Sequence, residues 1–388
     1  MKQSVANPVA MKRHNLNNVM NGIRKGGYSR ADLARELGLT RATVTNLVED
    51  LTSRGLVTEH PSDRVAVGRT PNILRLVPEA VYFGGIWLTR GASHVCIADF
   101  EGNIVSTAGF KQAEKLPWQT RADELIASLE AQIASLGIPR ERIFAVGVGA
   151  PGPIDRENGA ILASPGFDEW RNVPITAYVK EKTGFDAYLE KDVGALAMAE
   201  KHLGAAKETD EYMQLFIERG IGLALVREGR LYRGVCGFEG EIGHTTVDLH
   251  GEKCVCGRRG CLELYASIPA LTARAEKSLQ ITSRLGCREF MQIVRDGNEH
   301  ARTLLEEEAD YLAAGIADAV RMTGVTDIFV SGEMTRGSDL LFPLLETHFA
   351  SDRLFRTPVT FRDSALGDNA HLVAAAGIAA DRYFERFY

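Results

Sequence analysis

Between Asn15 and Lys25 the apolar residues fall at Leu16, Val19, Met20 and Ile23, a spacing of three and four that lays one stripe along a helix. Gly26-Gly27 ends it. Ser29, with Asp32 three residues on, signals the start of a second helix that packs through Ala31, Leu33, Ala34 and Leu37. Gly38-Leu39-Thr40 makes a turn, and Thr40 caps a third helix, Arg41 to Ser53, with Val44, Leu47, Val48 and Leu51 facing inward. Two short helices joined by a tight glycine-containing turn form the helix-turn-helix pattern. Leu56 to Glu59 and Asn72 to Leu76 then read as two strands flanking Arg64 to Pro71, the outline of a β-wing.

From Val81 the pattern changes to a strand meander: Tyr82 to Leu88, Val95 to Phe100, a turn at Glu101 to Asn103, and Ile104 to Ser106. A helix follows over about Thr120 to Leu136. The buried-type strand Ile143 to Val148 then opens into Gly149-Ala-Pro-Gly-Pro-Ile-Asp155, a loop type that brings backbone N–H groups to a ligand. A helix from Thr176 to Thr183 precedes the short strand Ala187 to Leu189 and a strand-to-helix transition at Glu190-Lys-Asp192, which lets Asp192 point into a cleft. Tyr212 to Ile217, Ile221 to Arg227 and Arg230 to Tyr232 form a second meander. Further helices are expected over Ser267 to Ala275, Cys287 to Asp296, Ala301 to Thr323 and Ala370 to Arg386, with a strand at Asp327 to Val330 leading into Ser331-Gly332-Glu333. Strand, strand, strand, helix thus occurs twice, a duplication of structure without an obvious repeat of sequence.

At 388 residues the chain exceeds one ordinary core, and its 45% hydrophobic and 25% charged residues are those of a globular protein. No apolar run approaches a membrane span, and the start, Met-Lys-Gln-Ser-Val-Ala-Asn-Pro, lacks the apolar centre of a signal peptide. The expectation is a cytoplasmic protein. Six cysteines, at 96, 236, 254, 256, 261 and 287, fit a reducing compartment better than a disulfide scaffold.

Charge separates the front from the body. Residues 1–80 hold 12 Lys and Arg against 7 Asp and Glu, a net of +5, whereas the remaining 33 and 44 give −11. Only the front therefore suits a polyanion. The outward face of the third helix carries Arg41, Thr43, Thr45 and Asn46, residue types that reach base edges and phosphates from the major groove. Arg64 and Arg69 of the wing are placed to track phosphates or enter the minor groove. The alternative is a helical protein-docking module with a solvated polar face. Pattern, wing and local charge together favour double-stranded DNA.

The strongest chemical signal lies further on. Nine residues separate His244 from Cys254, one separates Cys254 from Cys256, and four separate Cys256 from Cys261, ligand spacing for a Cys3His zinc site. Gly251, Gly257 and Gly260 let the backbone turn, and Lys253, Arg258 and Arg259 offset thiolate charge. Four protein ligands fill a tetrahedral ion and leave no place for a reacting water, so the metal reads as structural. The alternatives are buried free cysteines or a disulfide in a secreted protein.

Gly149-Ala-Pro-Gly-Pro-Ile-Asp155, Glu190-x-Asp192, Glu241-Ile-Gly-His244 and Cys254-x-Cys256-x4-Cys261-Leu-Glu263 together resemble the ROK family of repressors, open reading frames and sugar kinases, over residues 81–388. The resemblance implies an α/β chain: an N-terminal winged helix-turn-helix over 1–80, then a two-lobed actin-like, ribonuclease-H-like ROK domain. Its first lobe would span 81–190, joined by a C-terminal helix at 370–388, and its second 191–369, with the zinc loop at 244–261. It implies that His244, Cys254, Cys256 and Cys261 bind a structural zinc ion, and that Asp192, Glu241, His244 and Glu263 face a sugar. Carboxylates and imidazole are the groups that take directional hydrogen bonds from vicinal hydroxyls. The alternative for Glu241 and Glu263 is support of the zinc loop.

Kinases of the family carry Asp-x-Gly-Gly-Thr on the first strand, where this chain reads Trp87-Leu-Thr-Arg-Gly91. Trp87 replaces the Asp and Thr89-Arg90 the glycine pair, so side chains fill the space a triphosphate needs, and no phosphoryl transfer is expected. Asp192 aligns with the kinase base and is left to grip a hydroxyl. Lys191 stands where the family has Asn, and Gly166-Phe167 precede Trp170 where it often has Asn-Leu. Lys191 either adds positive charge for an acidic or phosphorylated sugar or pairs with Glu190. The expected function is a sugar-responsive DNA-binding regulator, most readily a repressor released from operator DNA by its effector, working as a homodimer or dimer of dimers. The alternatives are a DNA-tethered sugar kinase and a zinc-stabilised scaffold.

Overall fold

The computed structural model describes residues 8–61, 72–111, 116–163, 168–354 and 357–385. Packing divides the chain into two compact units, Met1–Gly149 with Pro174–Glu190 and His371–Tyr388, and Ala150–Val173 with Lys191–Ala370.

The first unit opens with helices α1 (Pro8–Lys25), α2 (Arg30–Glu36) and α3 (Arg41–Ser53) and the antiparallel strands β1 (Val57–Pro61) and β2 (Asn72–Leu76). The start signals act as expected. Asp32 N–H donates to Ser29 Oγ at 3.2 Å while Ser29 N–H donates to Asp32 Oδ2 at 3.1 Å, and Thr43 N–H donates to Thr40 Oγ1 at 3.1 Å. Leu16, Val19, Met20, Ile23, Leu33, Val44, Leu47, Val48 and Leu51 are all buried, so the three stripes meet in one small core. Helix α1 begins two turns before the expected Asn15, at Pro8, ahead of the stripe formed by Leu16, Val19, Met20 and Ile23. The wing residues Arg64 and Arg69 lie outside the described residues.

The rest of this unit comprises β3 (Tyr82–Trp87), β4 (Ala92–Ala98), β5 (Ile104–Lys111), α4 (Trp118–Ser135) and β6 (Ile143–Ala150). After the short pair β7 (Ile154–Asp155) and β8 (Ala160–Ile161) of the other unit come α5 (Ile175–Thr183) and β9 (Asp186–Lys191), and the sheet runs β5-β4-β3-β6-β9.

The second unit continues with α6 (Asp192–Leu203), β10 (Tyr212–Ile217), β11 (Ile221–Arg227), β12 (Arg230–Leu231), α7 (Glu263–Ala266), α8 (Ile268–Ser278), α9 (Cys287–Arg295), α10 (Glu299–Thr323), β13 (Asp327–Ser331), α11 (Ser338–Ser351) and β14 (Thr360–Asp363). Its sheet runs β12-β11-β10-β13-β14. Both sheets thus order their strands third, second, first, fourth, fifth, antiparallel through the meander and parallel where the first strand meets the fourth. This is the duplication that the strand pattern suggested.

Helix α12 (Ala370–Glu385) closes the first unit. It lies directly on the sheet, since a Cβ on Gly85 would come 2.7 Å from the Ala376 nitrogen and one on Gly147 would come 2.0 Å from the Ala375 carbonyl oxygen. Only glycine permits that approach. Its far end holds α1: Arg24 reaches Asp381 at 2.9 Å and lies 4.4 Å above the Phe384 ring, and Asn17 Nδ2 donates to the Glu385 carbonyl.

Two features differ from the sequence reading. Residues 150–173 belong to the second unit rather than to a first lobe running unbroken to 190, since Ile154 N–H donates to the Gly237 carbonyl at 3.3 Å. Helix α11 and strand β14 were not expected. Pro343 inside α11 reads as a break, and β14 buries only Phe361 fully.

Candidate functional site

The residues expected to face a sugar all lie in the second unit, and each is half-buried: Asp192, Glu241, His244 and Glu263. Local structure places them. Asp192 is the first residue of α6, with its Oδ1 accepting the Val193 N–H at 2.7 Å. Glu241 and His244 bracket one 3-10 turn, and His244 N–H donates to the Glu241 carbonyl at 3.0 Å. Glu263 opens α7, two residues after Cys261. Leu262 N–H donates to the Thr245 carbonyl at 2.9 Å, which ties this segment to the turn that ends at His244.

Beneath both segments lies Gly315 of α10. A Cβ there would come 2.6 Å from Leu262 Cδ2 and 3.8 Å from Ile242 Cγ1. Ile242, which follows Glu241, and Leu262, which lies between Cys261 and Glu263, are both buried, so the helix surface sets the depth of both segments. Gly315 gives no signal in the sequence, because a glycine within a 25-residue helix carries no chemical label.

The four proposed metal ligands converge. His244, Cys254, Cys256 and Cys261 bring one ligand atom each to within 4.8 Å of one another. Cys254 Sγ lies 3.6 Å from His244 Nδ1, and Cys256 Sγ lies 3.6 Å from Cys261 Sγ. A tetrahedral zinc ion would set sulfur–sulfur edges of about 3.8 Å and sulfur–nitrogen edges of about 3.6 Å. The donor set and its spacing therefore fit that ion. Nδ1 stands on the thiol side, leaving Nε2 as the ring nitrogen for a second partner.

The loop holds this geometry with its own backbone. Cys254 N–H donates to the Arg258 carbonyl at 2.8 Å, Gly257 N–H to the Cys254 carbonyl at 3.0 Å and Gly260 N–H to the Glu252 carbonyl at 2.9 Å. Gly260 has a φ of +61°, and a Cβ there would come 1.6 Å from the Asp248 carbonyl oxygen, so no other residue fits. Arg258 donates to Thr246 Oγ1 and Arg259 to the Gly251 carbonyl, so both guanidiniums brace the loop as well as adding charge. Burial raises the Cys254 thiol and pushes Cys261 up to about 12. Burial opposes ionisation of Cys256 too, but the Arg258 backbone amide, hydrogen bonds to Cys254 and Cys261 and the Arg258 charge outweigh it and lower that thiol. A bound cation is what would hold all three as thiolates.

Lys191 has a carboxylate partner that neither sequence reading named. Its ammonium, on a side chain only 4% exposed, donates to Glu241 Oε1 at 2.6 Å and to the Glu239 carbonyl at 2.7 Å. The charge is held by Glu241, the residue expected to take a sugar hydroxyl. Arg156 in turn holds the Glu239 carboxylate at 2.6 Å. Gly152 abuts the pair: a Cβ there would come 2.5 Å from Glu241 Oε1 and 2.8 Å from Lys191 Cε. Gly166 and Phe167 lie outside the described residues, whereas Trp170 is fully buried.

At the end of β3, in the first unit, Trp87 is 2% exposed and covers Gly149, where a Cβ would come 2.3 Å from its ring. In the turn that follows, Gly91 and Ala92 donate their N–H groups to Thr89 Oγ1 at 3.1 and 2.9 Å, and the Thr89 hydroxyl donates to the Ala92 carbonyl. Those amides are already engaged. On α3, Arg41 and Asn46 are exposed and Thr43 and Thr45 half-buried, with the Thr43 hydroxyl 2.8 Å from Thr40 Oγ1.

Residues 84–382 match the ROK family. The chain belongs to the ROK family. Residues 20–65 match the MarR family, over α2, α3 and the end of α1, giving this ROK protein a MarR-type winged helix at its front. The ROK chain is 27% identical over 385 residues to the xylose repressor of Bacillus subtilis (strain 168), covering 98% of each. It is 25% identical over 330 residues to the DNA-binding transcriptional repressor Mlc of Escherichia coli (strain K12), covering 82% of this chain and 80% of Mlc. Its fold matches the crystal structure of a ROK family transcriptional regulator described as a homologue of the E. coli Mlc protein, with a TM-score of 0.81, 23% identity and 97% of each chain covered. No helix among the described residues is long and apolar enough to cross a membrane.

Proposed function

We propose that this ROK protein is a sugar-responsive transcriptional repressor whose effector releases it from operator DNA. The observation that carries the reading is the union, in one chain, of a MarR-type winged helix and a ROK body, aligned over 98% of its length with a relative named as a xylose repressor. Arg41, Thr43, Thr45 and Asn46 of α3 contact the major groove, and Arg64 and Arg69 of the wing the phosphates or minor groove. A homodimer in the cytoplasm presents two such helices to half-sites about one helical turn apart. The effector is a sugar or sugar derivative that binds Asp192, Glu241, His244 and Glu263. By linkage it binds the DNA-incompatible state more tightly.

Zinc belongs to this reading as a structural ion. His244, Cys254, Cys256 and Cys261 hold it. It organises the loop and fixes the His244 ring, so that Nε2 meets the ligand while Nδ1 serves the metal. No chemistry is assigned to the ion. Catalysis of phosphoryl transfer is not part of the function either. The packing of Trp87 on Gly149 and the engagement of the Gly91 and Ala92 amides by Thr89 support that view, since the groups that would cradle phosphates are occupied.

A paired assay tests the proposal. The zinc-loaded chain is expected to bind DNA from upstream of its own gene with a steep salt dependence and to release no ADP above background from ATP with mixed hexoses. Sugar-dependent ADP release would replace the regulator with a kinase. Retained binding to another protein, with neither DNA nor sugar bound, would replace it with a scaffold.

A further inference from the structure

Lys191, the last residue of β9 and the neighbour of the expected ligand Asp192, is buried and bound to a carboxylate 50 residues away in sequence. Burying an ammonium costs several kcal/mol unless a counter-charge and further acceptors compensate. Here both are present, in Glu241 Oε1 at 2.6 Å and the Glu239 carbonyl at 2.7 Å. The absence of a side chain on Gly152 leaves room for the pair, since a Cβ there would come 2.5 Å from the carboxylate oxygen and 3.0 Å from Lys191 Cδ. Glu239 is in turn held by Arg156 at 2.6 Å. The Glu241 side chain remains 27% exposed although one oxygen is bound to lysine.

We propose that Lys191 is a positioning and specificity-determining residue of the effector site: it fixes Glu241 so that one carboxylate oxygen, Oε2, meets the ligand, and it contributes no charge to an anionic one. This rests on the sugar-site reading above. A carboxylate gripped through one oxygen loses its rotational freedom and presents the other as a directional acceptor for a single hydroxyl. Asp192 and Glu263 add two carboxylates with which an acidic sugar must contend, and the ammonium that would offset them is bound to Glu241. The site therefore takes a neutral polyhydroxyl ligand in preference to its uronic acid or phosphate ester.

The test is a double-mutant cycle on effector affinity, by calorimetry on the zinc-loaded full chain. The probes are D-xylose, D-glucose, N-acetyl-D-glucosamine, D-glucuronate and D-glucose 6-phosphate, and the variants are Lys191→Met, Glu241→Gln and the pair. The wild type is expected to bind a neutral probe at least tenfold more tightly than either acidic one. Lys191→Met is expected to weaken that probe at least tenfold. The pair is expected to fall well short of the product of the two single losses, because the neutral amide that Glu241→Gln introduces needs no counter-charge. Melting temperature and zinc content report folding separately, and a purely structural lysine would give multiplicative losses in the cycle. An unchanged affinity in Lys191→Met, multiplicative losses, or a preference for an acidic probe would overturn the inference while leaving the sugar site in place. If the wild type bound none of the five probes, the sugar-site reading would fall and the inference with it.

Discussion

Arg24, in the last turn of α1, lies 2.9 Å from Asp381 of α12, and both side chains are largely buried, at 9% and 18% exposed. The contact joins the DNA-binding helices to the helix that lies on the sheet of the first unit. The chain enters α12 from the second unit, at Ala370 and His371, so the segment holding α1 follows directly on the unit that carries the expected effector residues. We predict that Arg24→Ala lowers stability by about 1–3 kcal/mol, as expected for loss of an ion pair between two largely buried side chains. It should also reduce the effect of sugar on operator binding while leaving sugar affinity within about twofold. Urea unfolding and calorimetry measure the two parts, and full sugar response in a stably folded Arg24→Ala would break the link.

Removing the metal should act on the effector and spare the front. Cys256→Ser takes away one of four ligands, and we predict at least tenfold weaker zinc retention together with loss of sugar binding. The first eighty residues hold a core of their own, so their helical signal should persist. Metal analysis, calorimetry and circular dichroism on one sample decide it. Normal sugar affinity in a zinc-free variant would separate the metal from the switch.

What the sequence shows of the structure follows the range of the interactions. The Ser29 and Thr40 caps act within three residues, so the helix-turn-helix was legible as written. The convergence of His244, Cys254, Cys256 and Cys261 was legible because all four fall within one short loop segment. Lys191 was legible as an oddity but not in its role, because its partner Glu241 is 50 residues away and no local rule connects them. The bond from Arg24 to Asp381 spans 357 residues and was invisible for the same reason. Helix α11 was hidden by Pro343, and Gly315 by its lack of a side chain. Each of these depends on what another segment brings to it.

A carboxyl group in the second unit gives a stability prediction with a definite sign. Glu218 follows β10, and its Oε1 accepts the Glu333 N–H at 3.1 Å. Burial first, and the Glu333 carboxylate second, push its pKa up to about 7. The unfolded chain gives up this proton near its ordinary value of 4.5, whereas the folded chain keeps it. Between those values folding takes up a proton, so the stability contributed at low pH is lost as pH rises through about 7 and then levels off. Glu218→Gln should leave stability at pH 4.5 nearly unchanged and raise it by roughly 1–3 kcal/mol at pH 8, the upper end following from about 1.4 kcal/mol per pH unit. Urea midpoints across that range report it, and parallel curves for the two proteins would rule out the assignment.

Sugar binding and operator binding, we propose, oppose each other in one molecule. The most direct measurement is operator affinity by fluorescence anisotropy at fixed salt, on the zinc-loaded full chain, with and without a saturating sugar whose binding calorimetry has established. At least a tenfold loss of affinity is expected, a coupling of about 1.4 kcal/mol or more. An operator affinity that stayed the same or rose with the sugar bound would contradict it.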